Sequence, residues 1–168
     1  SFLKKYKPWG VILFSRNIKS IKQTKKLTSH IKNLFNDINY PILIDEEGGR
    51  VSRLNKFLDN TIFSAEFFCN LYLKDKNKFN LYYKVYVNQI SYLLNLIGIN
   101  INTVPVLDVR RKITNNVIGN RSFSKDPYLV SKLGKITINN YHKNSIATVI
   151  KHIPGHGLSK VDSHSALP

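Results

Sequence analysis

The sequence has 168 residues, 42% of them hydrophobic, and a formal net charge of +16; it is long enough for one substantial core, and no apolar run approaches the roughly 18 residues of a membrane span. Its single cysteine, Cys69, excludes an intramolecular disulfide and fits a reducing compartment. Methionine is missing even at position 1, so the sequence reads as a piece of a longer chain, and the start, Ser1 to Trp9, lacks the uninterrupted apolar stretch of a signal peptide.

The charge invites a nucleic-acid reading, because phosphate binding is driven by Lys and Arg. The lysines, however, are scattered through polar helix-like segments, as in Lys19, Lys22, Lys25, Lys26 and Lys32 or Lys74, Lys76 and Lys78. Asn and Ile are abundant beside them, which is compositional bias on a solvated surface. A basic nucleic-acid-binding module is the competing reading from a different functional class, and it lacks a recognition element.

In chain order, the first apolar run, residues 10–14, leads into Ser15-Arg16-Asn17. Leu27, Ile31, Leu34 and Phe35 then share one face of a helix beginning near Ser20. Residues 41–44 form a second strand, followed at once by Asp45, Glu46, Glu47, Gly48, Gly49 and Arg50. Residues 55–80, with Phe57, Phe63, Phe67 and Phe68, read as a long loop with a short helix. A stripe of Tyr86, Ile90, Leu93 and Ile97, closed by Gly98, marks a longer helix. Residues 102–107 are the third strand, ending at Asp108. Asp126-Pro127 opens a helix through Leu129, Leu133 and Ile136, with Pro in its first turn. The fourth strand, 147–150, runs into Lys151-His152.

Short β-branched runs without strict alternation suit strands of a parallel sheet, and their alternation with helical stripes predicts an α/β fold. A doubly wound dinucleotide fold would show G-x-G-x-x-G after its first strand, and none is present. A TIM-type (β/α)8 barrel is favoured, because polar clusters follow all four strands and barrels build one site from many strand ends. A full barrel needs about 200–250 residues, so four strands imply a barrel lacking its closing C-terminal strands.

The stretch from Lys151 to Pro168 gathers three of the five histidines. In Asp162-x-His164 a carboxylate can fix the tautomer of an imidazole and raise its basicity, which suits a general acid/base near neutral pH. His156, between two glycines, reads as loop architecture, and Asp108 as a strand-end hydrogen-bond acceptor. Glu46 and Glu47 in isolation look like a general-acid pair. A metal hydrolase using His152, His156, Asp162 and His164 is a further alternative, but the spacing fits neither H-E-x-x-H nor a Cys/His zinc pattern, and Lys151 would repel a cation.

Five segments occur in a telling order: Gly10 to Asn17 (G-V-I-L-F-S-R-N), Ile44 to Arg53 (I-D-E-E-G-G-R-V-S-R), Val104 to Asp108 (V-P-V-L-D), Ile118 to Phe123 (I-G-N-R-S-F), and Lys151 to Gly157 (K-H-I-P-G-H-G) with Asp162-Ser163-His164. Together they resemble the glycoside hydrolase family 3 β-N-acetylhexosaminidases, bacterial enzymes of peptidoglycan recycling, over nearly the whole chain. The resemblance implies that residues 1–168 are part of that family's catalytic barrel, incomplete at both ends. It implies that Asp45, Arg53, Arg121, Lys151 and His152 bind the N-acetylglucosamine unit, and that His164 is the acid/base with Asp162 as its partner. Position 46 commonly holds Gln or His in the family, so Glu46 is a departure.

The mechanism implied is retaining hydrolysis of terminal non-reducing β-linked N-acetylglucosamine through a covalent glycosyl-enzyme, with the substrate a muropeptide. The family's nucleophile is an aspartate downstream of residue 168, so the 168-residue piece alone is expected to be inactive. The resemblance further implies no cofactor, no metal, no nucleic-acid or membrane partner, and a cytoplasmic location. A family 3 phosphorylase is the alternative within the family, since a neutral histidine repels phosphate less than a carboxylate does.

Overall fold

The computed structural model of the protein describes residues 2–162, 164 and 167; Ser163, in the middle of the Asp-Ser-His motif, lies outside the described residues. A short helix α1 (Phe2–Tyr6) precedes β1 (Val11–Leu13), α2 (Ile21–Phe35), β2 (Ile42–Ile44), α3 (Ala65–Lys74), α4 (Lys76–Leu96), β3 (Ile101–Asn102), α5 (Pro127–Lys143) and β4 (Ala147–Thr148). All strand pairs are parallel, in the spatial order β1-β2-β3-β4. Strand order equals chain order with no reversal, which is how a barrel wall grows; a doubly wound sheet reverses at a switch point.

The register divides the sheet into two faces. Ile12, Leu43, Ile101 and Ala147 are aligned across the strands, as are Leu13, Ile44, Asn102 and Thr148. Successive side chains alternate between faces. Leu13, Ile42 and Ile44 are buried and join Ile31, Ile90, Leu94 and Leu133 in one cluster, so that face carries the helices. The other face lines the inside of the barrel.

Local chemistry sets the helix ends. The Ser20 hydroxyl accepts from the Gln23 N–H at the start of α2, and Asp126 accepts from the Tyr128 N–H at the start of α5, with Pro127 in its first turn. Gly98 turns the chain after α4 at φ +79°, where an added Cβ would lie 2.6 Å from the Thr28 hydroxyl. That hydroxyl donates to the Ile97 carbonyl at 2.7 Å and ties α2 to the end of α4.

Two sequence expectations are corrected here. Residues 55–80 are helical from Ala65 onward, apart from Asp75. Ser64 and Asp75 cap α3 and α4 by accepting from the Phe67 and Lys78 N–H groups, and Phe68, Tyr72, Phe79 and Tyr83 pack ring against ring. Aromatic packing holds as helix what reads locally as an irregular stretch. The strands are also shorter than expected. Beyond Asn102 the third run leaves the regular ladder: Pro105 has no N–H to donate, and contact with the fourth run resumes as a single bridge between Val106 and Lys151.

One buried polar residue joins this frame to the loop after β2. Asn102 donates through Nδ2 to the Glu46 carbonyl at 2.8 Å and accepts at Oδ1 from the Glu46 N–H at 3.0 Å. Asn102→Ala should strand both main-chain groups and lower stability by about 1–3 kcal/mol for each. The measurement is the urea denaturation midpoint, and an unchanged midpoint would show that the clamp contributes nothing.

Candidate active site

The barrel-facing alternation continues past the strand ends. Asp45 stands two residues beyond Leu43 and Thr103 two beyond Ile101, and the two side chains meet. Asp45 Oδ1 accepts from the Thr103 hydroxyl at 2.5 Å and from Lys151 Nζ at 3.0 Å. Its Oδ2 lies 3.5 Å from Arg53 Nη2. Lys151 Nζ is also 2.6 Å from Glu47 Oε1, and Glu47 receives the Arg121 fork on both oxygens, at 2.8 and 2.9 Å. Arg53, Asp45, Lys151, Glu47 and Arg121 thus form a row of alternating charge across the ends of β2 and β4 and the loop after β3. Burial alone would push the Asp45 carboxyl up, but the Thr103 hydroxyl and the Lys151 and Arg53 cations hold it below its ordinary value.

The two glutamates have different roles, which corrects the reading of them as a pair. Glu46 is fully buried. Its carboxylate accepts from Ser52 Oγ at 3.0 Å, the Arg53 N–H at 2.7 Å, the Leu54 N–H at 3.0 Å and Asn60 Nδ2 at 2.5 Å. Burial pushes its carboxyl up even against these donors. It is the internal strap of the loop carrying Asp45, Glu47 and Arg53. Gly48, at φ +82°, makes the turn where an added Cβ would lie 2.3 Å from the Phe63 carbonyl oxygen. Glu47, read from the sequence only as one of a pair with Glu46, is the acid that the structure sets between the part-buried cations Lys151 and Arg121. Two such cations need more negative charge than Asp45 alone supplies.

His152 reaches the site through Asp108, whose side chain is completely buried. Asp108 Oδ2 is 2.6 Å from His152 Nδ1, and its Oδ1 accepts from the His156 N–H at 2.5 Å. Burial raises the Asp108 carboxyl, yet its hydrogen bonds to His152 and His156 bring it below the ordinary range. An ionised carboxylate only accepts, so Nδ1 of His152 carries the proton and Nε2 is the ring's free acceptor when neutral. Asp108 is the strand-end acceptor expected.

His164 and Asp162 are paired: His164 Nδ1 is 2.7 Å from Asp162 Oδ1, which also accepts the His164 N–H at 3.0 Å. The histidine side chain is 86% exposed. A cavity of about 290 Å³ nevertheless brings Asp162 and His164 together with Arg121, His152 and His156. The sequence-predicted residues therefore converge as two linked groups. Asp45, Arg53, Arg121 and Lys151 form the charged row, and His152 joins His164 and Asp162 around the cavity.

Asp108, His152 and His156 place ligand atoms within 4.8 Å of one another and could hold a metal ion. Their mutual hydrogen bonds already give the arrangement a purpose as a clasp for His152. The four ligands imagined from sequence divide differently: His152 and His156 go with Asp108, while His164 goes with Asp162.

A sequence model described as the glycosyl hydrolase family 3 N terminal domain matches residues 1–168. The chain is 33% identical to Beta-hexosaminidase A of Pseudoalteromonas piscicida, covering 99% of this chain and 28% of that protein. It is 35% identical to a Beta-hexosaminidase of Hydrogenovibrio crunogenus, over 92% of this chain and 43% of that one. Its fold is similar to the crystal structure of NagZ from Neisseria gonorrhoeae in complex with N-trifluoroacetyl-D-glucosamine, with a TM-score of 0.77 and 33% identity, over 95% of this chain and 47% of that one. The chain spans less than half the length of each of these proteins.

The lowered Asp45 value has a consequence for stability. A carboxyl with a lower pKa folded than unfolded binds fewer protons in the folded state. It therefore stabilises the fold above its unfolded value of about 3.9, and that stabilisation is lost as pH falls toward the folded value. Asp45→Asn should be less stable than the wild type at about pH 6, with the gap closing toward about pH 3. Denaturation midpoints across that range test this, and a gap independent of pH would contradict it.

Proposed function

The chain belongs to glycosyl hydrolase family 3, as its N terminal domain, and on that premise we propose that it supplies the sugar grip and the acid/base of a retaining β-N-acetylhexosaminidase. Its substrate is a terminal non-reducing β-linked N-acetylglucosamine. The observation that carries this reading is that Arg121, the end of the alternating row that starts at Arg53, also lines the cavity that holds the carboxylate–histidine pair. The hexosaminidase relatives, and the glucosamine derivative bound by the Neisseria protein, agree with it.

In this mechanism Asp45, Lys151, Arg121, Arg53 and His152 take the hydroxyls and acetamido group of the sugar. Fixed donors and a fixed carboxylate orient the ring without reorganising as charge develops at the anomeric carbon. Asp162 holds the Nδ1 proton of His164 and orients the ring. Protonated His164 then gives its Nε2 proton to the glycosidic oxygen as the bond from the anomeric carbon to that oxygen breaks and a carboxylate attacks the same carbon. In the second step neutral His164 takes a proton from the water that displaces the enzyme carboxylate. Asp45, Glu47 and Asp108 are each paired with cations or main-chain donors. The attacking carboxylate is the one the family resemblance implies, an aspartate of a later strand-end motif.

A muropeptide aglycone and a cytoplasmic location belong to the same proposal and rest on that resemblance. Among the described residues, no helix is long and apolar enough to cross a membrane. A phosphorylase would use the same grip, and turnover compared with and without inorganic phosphate distinguishes the two.

In the intact protein, His164→Ala should cut turnover of substrates with poor leaving groups by roughly 10²–10⁴-fold, the worth of a positioned proton donor. Activated aryl glycosides should be spared in the first step, and equal loss on both classes would point to a structural histidine. Lys151→Ala and Arg121→Ala should instead weaken inhibition by free N-acetylglucosamine. A stranded polar group in a buried site costs about 1–3 kcal/mol, and unchanged inhibition constants would overturn the grip.

A further inference from the structure

The pairing of His164 with Asp162 sets the orientation of the imidazole but not its place in the molecule. Among the described residues, its hydrogen bonds go to a residue two positions away on the same loop. Where the pair stands relative to the sugar depends on what holds the loop upstream.

That hold comes from the loop after β3. The Asn115 N–H donates to the Ser159 carbonyl at 2.9 Å, and Asn115 Nδ2 donates to the Lys160 carbonyl at 3.1 Å. Beside it, the Thr114 hydroxyl donates to the Gly157 carbonyl. Gly157 lies so close to Val109 that an added Cβ would stand 2.3 Å from the Val109 carbonyl oxygen. Ser159 then stiffens the next turn, donating from its hydroxyl to the Val161 carbonyl at 2.5 Å and accepting the Val161 N–H at 3.2 Å. A hold on Ser159 and Lys160 is thus carried to Asp162.

Asn115 is itself fixed from the other side. Its Oδ1 accepts the Val117 N–H at 2.9 Å. The Val117 carbonyl accepts from Arg50 Nη2 at 2.6 Å and from Arg121 Nη1 at 3.1 Å. Arg121 is the fork on Glu47, which also holds Lys151. Hydrogen bonds therefore run continuously from the charged row, through Val117 and Asn115, to the main chain beside the acid/base pair.

We propose that Asn115 is a positioning residue for the acid/base: by pinning the main chain of Ser159 and Lys160, it sets where the Asp162–His164 pair stands over the sugar. The proposal rests on the assignment of His164 as proton donor. Asn115 is not among the residues that line the cavity holding Asp162 and His164. Its contribution is a distance, between His164 Nε2 and the glycosidic oxygen, on which proton transfer depends steeply.

The test uses the intact protein with Asn115→Ala and Asn115→Asp. Aspartate keeps the acceptor for the Val117 N–H but loses the donor and sets a carboxylate against the Lys160 carbonyl. Both variants should lower kcat by roughly ten-fold on substrates with poor leaving groups, between the worth of one lost hydrogen bond and the roughly 10²-fold cost of a 1 Å misplacement. KM and inhibition by N-acetylglucosamine should stay near wild type, and activated aryl glycosides should be much less affected.

Amide hydrogen exchange provides a readout independent of turnover. Protection should fall across residues 157–164 in both variants and be retained in β1 to β3. Loss of kcat on both substrate classes alike, a wild-type kcat in Asn115→Asp, or unchanged exchange across 157–164 would each overturn the proposal. If His164→Ala shows no leaving-group dependence, the assignment of the acid/base itself fails, whereas a normal His164 result beside silent Asn115 variants rejects the positioning role alone.

Discussion

The Lys151 ammonium, within 3.0 Å of Asp45 and 2.6 Å of Glu47, is the contact on which the rest of the site depends. Without it Asp45 and Glu47 would face each other with no cation between them, and a sheltered lysine is costly unless it is paired. Held together, and with Arg121 and Arg53 at the two ends of the row, each charge has an opposite charge beside it. The Thr103 hydroxyl, 2.9 Å from Lys151 Nζ and bonded to Asp45, completes the arrangement from β3. Removing either acid or the lysine leaves partners uncompensated in a low-dielectric setting, so the site works as a unit.

That unit needs a rigid frame, and the frame is polar as well as apolar. Asn102 clamps both main-chain groups of Glu46, and the Glu46 carboxylate gathers four donors from residues 52–60. Together they fix a loop that holds no regular strand or helix yet presents Asp45 to one side and Glu47 to Lys151 and Arg121. A fully satisfied buried network specifies one geometry, where a purely apolar loop would tolerate several. The buried Glu46 carboxylate is accommodated because each of its oxygens finds a donor.

The proposed substrate grip and the proposed proton donor stand on different kinds of backbone. Asp45 directly follows β2 and Lys151 lies just beyond β4, with Arg53 and Arg121 on the loops after β2 and β3, while His164 is mostly exposed. In the proposed role His164 serves both a departing oxygen and an incoming water, so access to solvent is part of its task. The Asn115 anchor places this exposed residue with reference to Arg121 and the charged row.

What the sequence determined by itself is local and periodic. Apolar runs at the strands, stripes such as Tyr86, Ile90, Leu93 and Ile97, and polar clusters straight after each run point to a parallel α/β barrel wall. They put Asp45 directly after β2, and the Asp162-x-His164 spacing sets a carboxylate beside an imidazole because the two residues are neighbours in the chain. The tertiary structure alone decided the rest. Glu46 and Glu47 are adjacent and chemically identical, and only the Asn102 clamp from β3 decides which is buried as a strap and which meets the cations. The partners of Glu47 and Asp45 lie 74 and 106 residues away in the chain, a separation no local period encodes. Helix α3 likewise persists through ring packing with α4, and Asn115 acquires its role only where two loops meet. Periodicity fixes which face a residue takes, but which residues face each other across the barrel mouth follows from the strand register, a property of the assembled sheet.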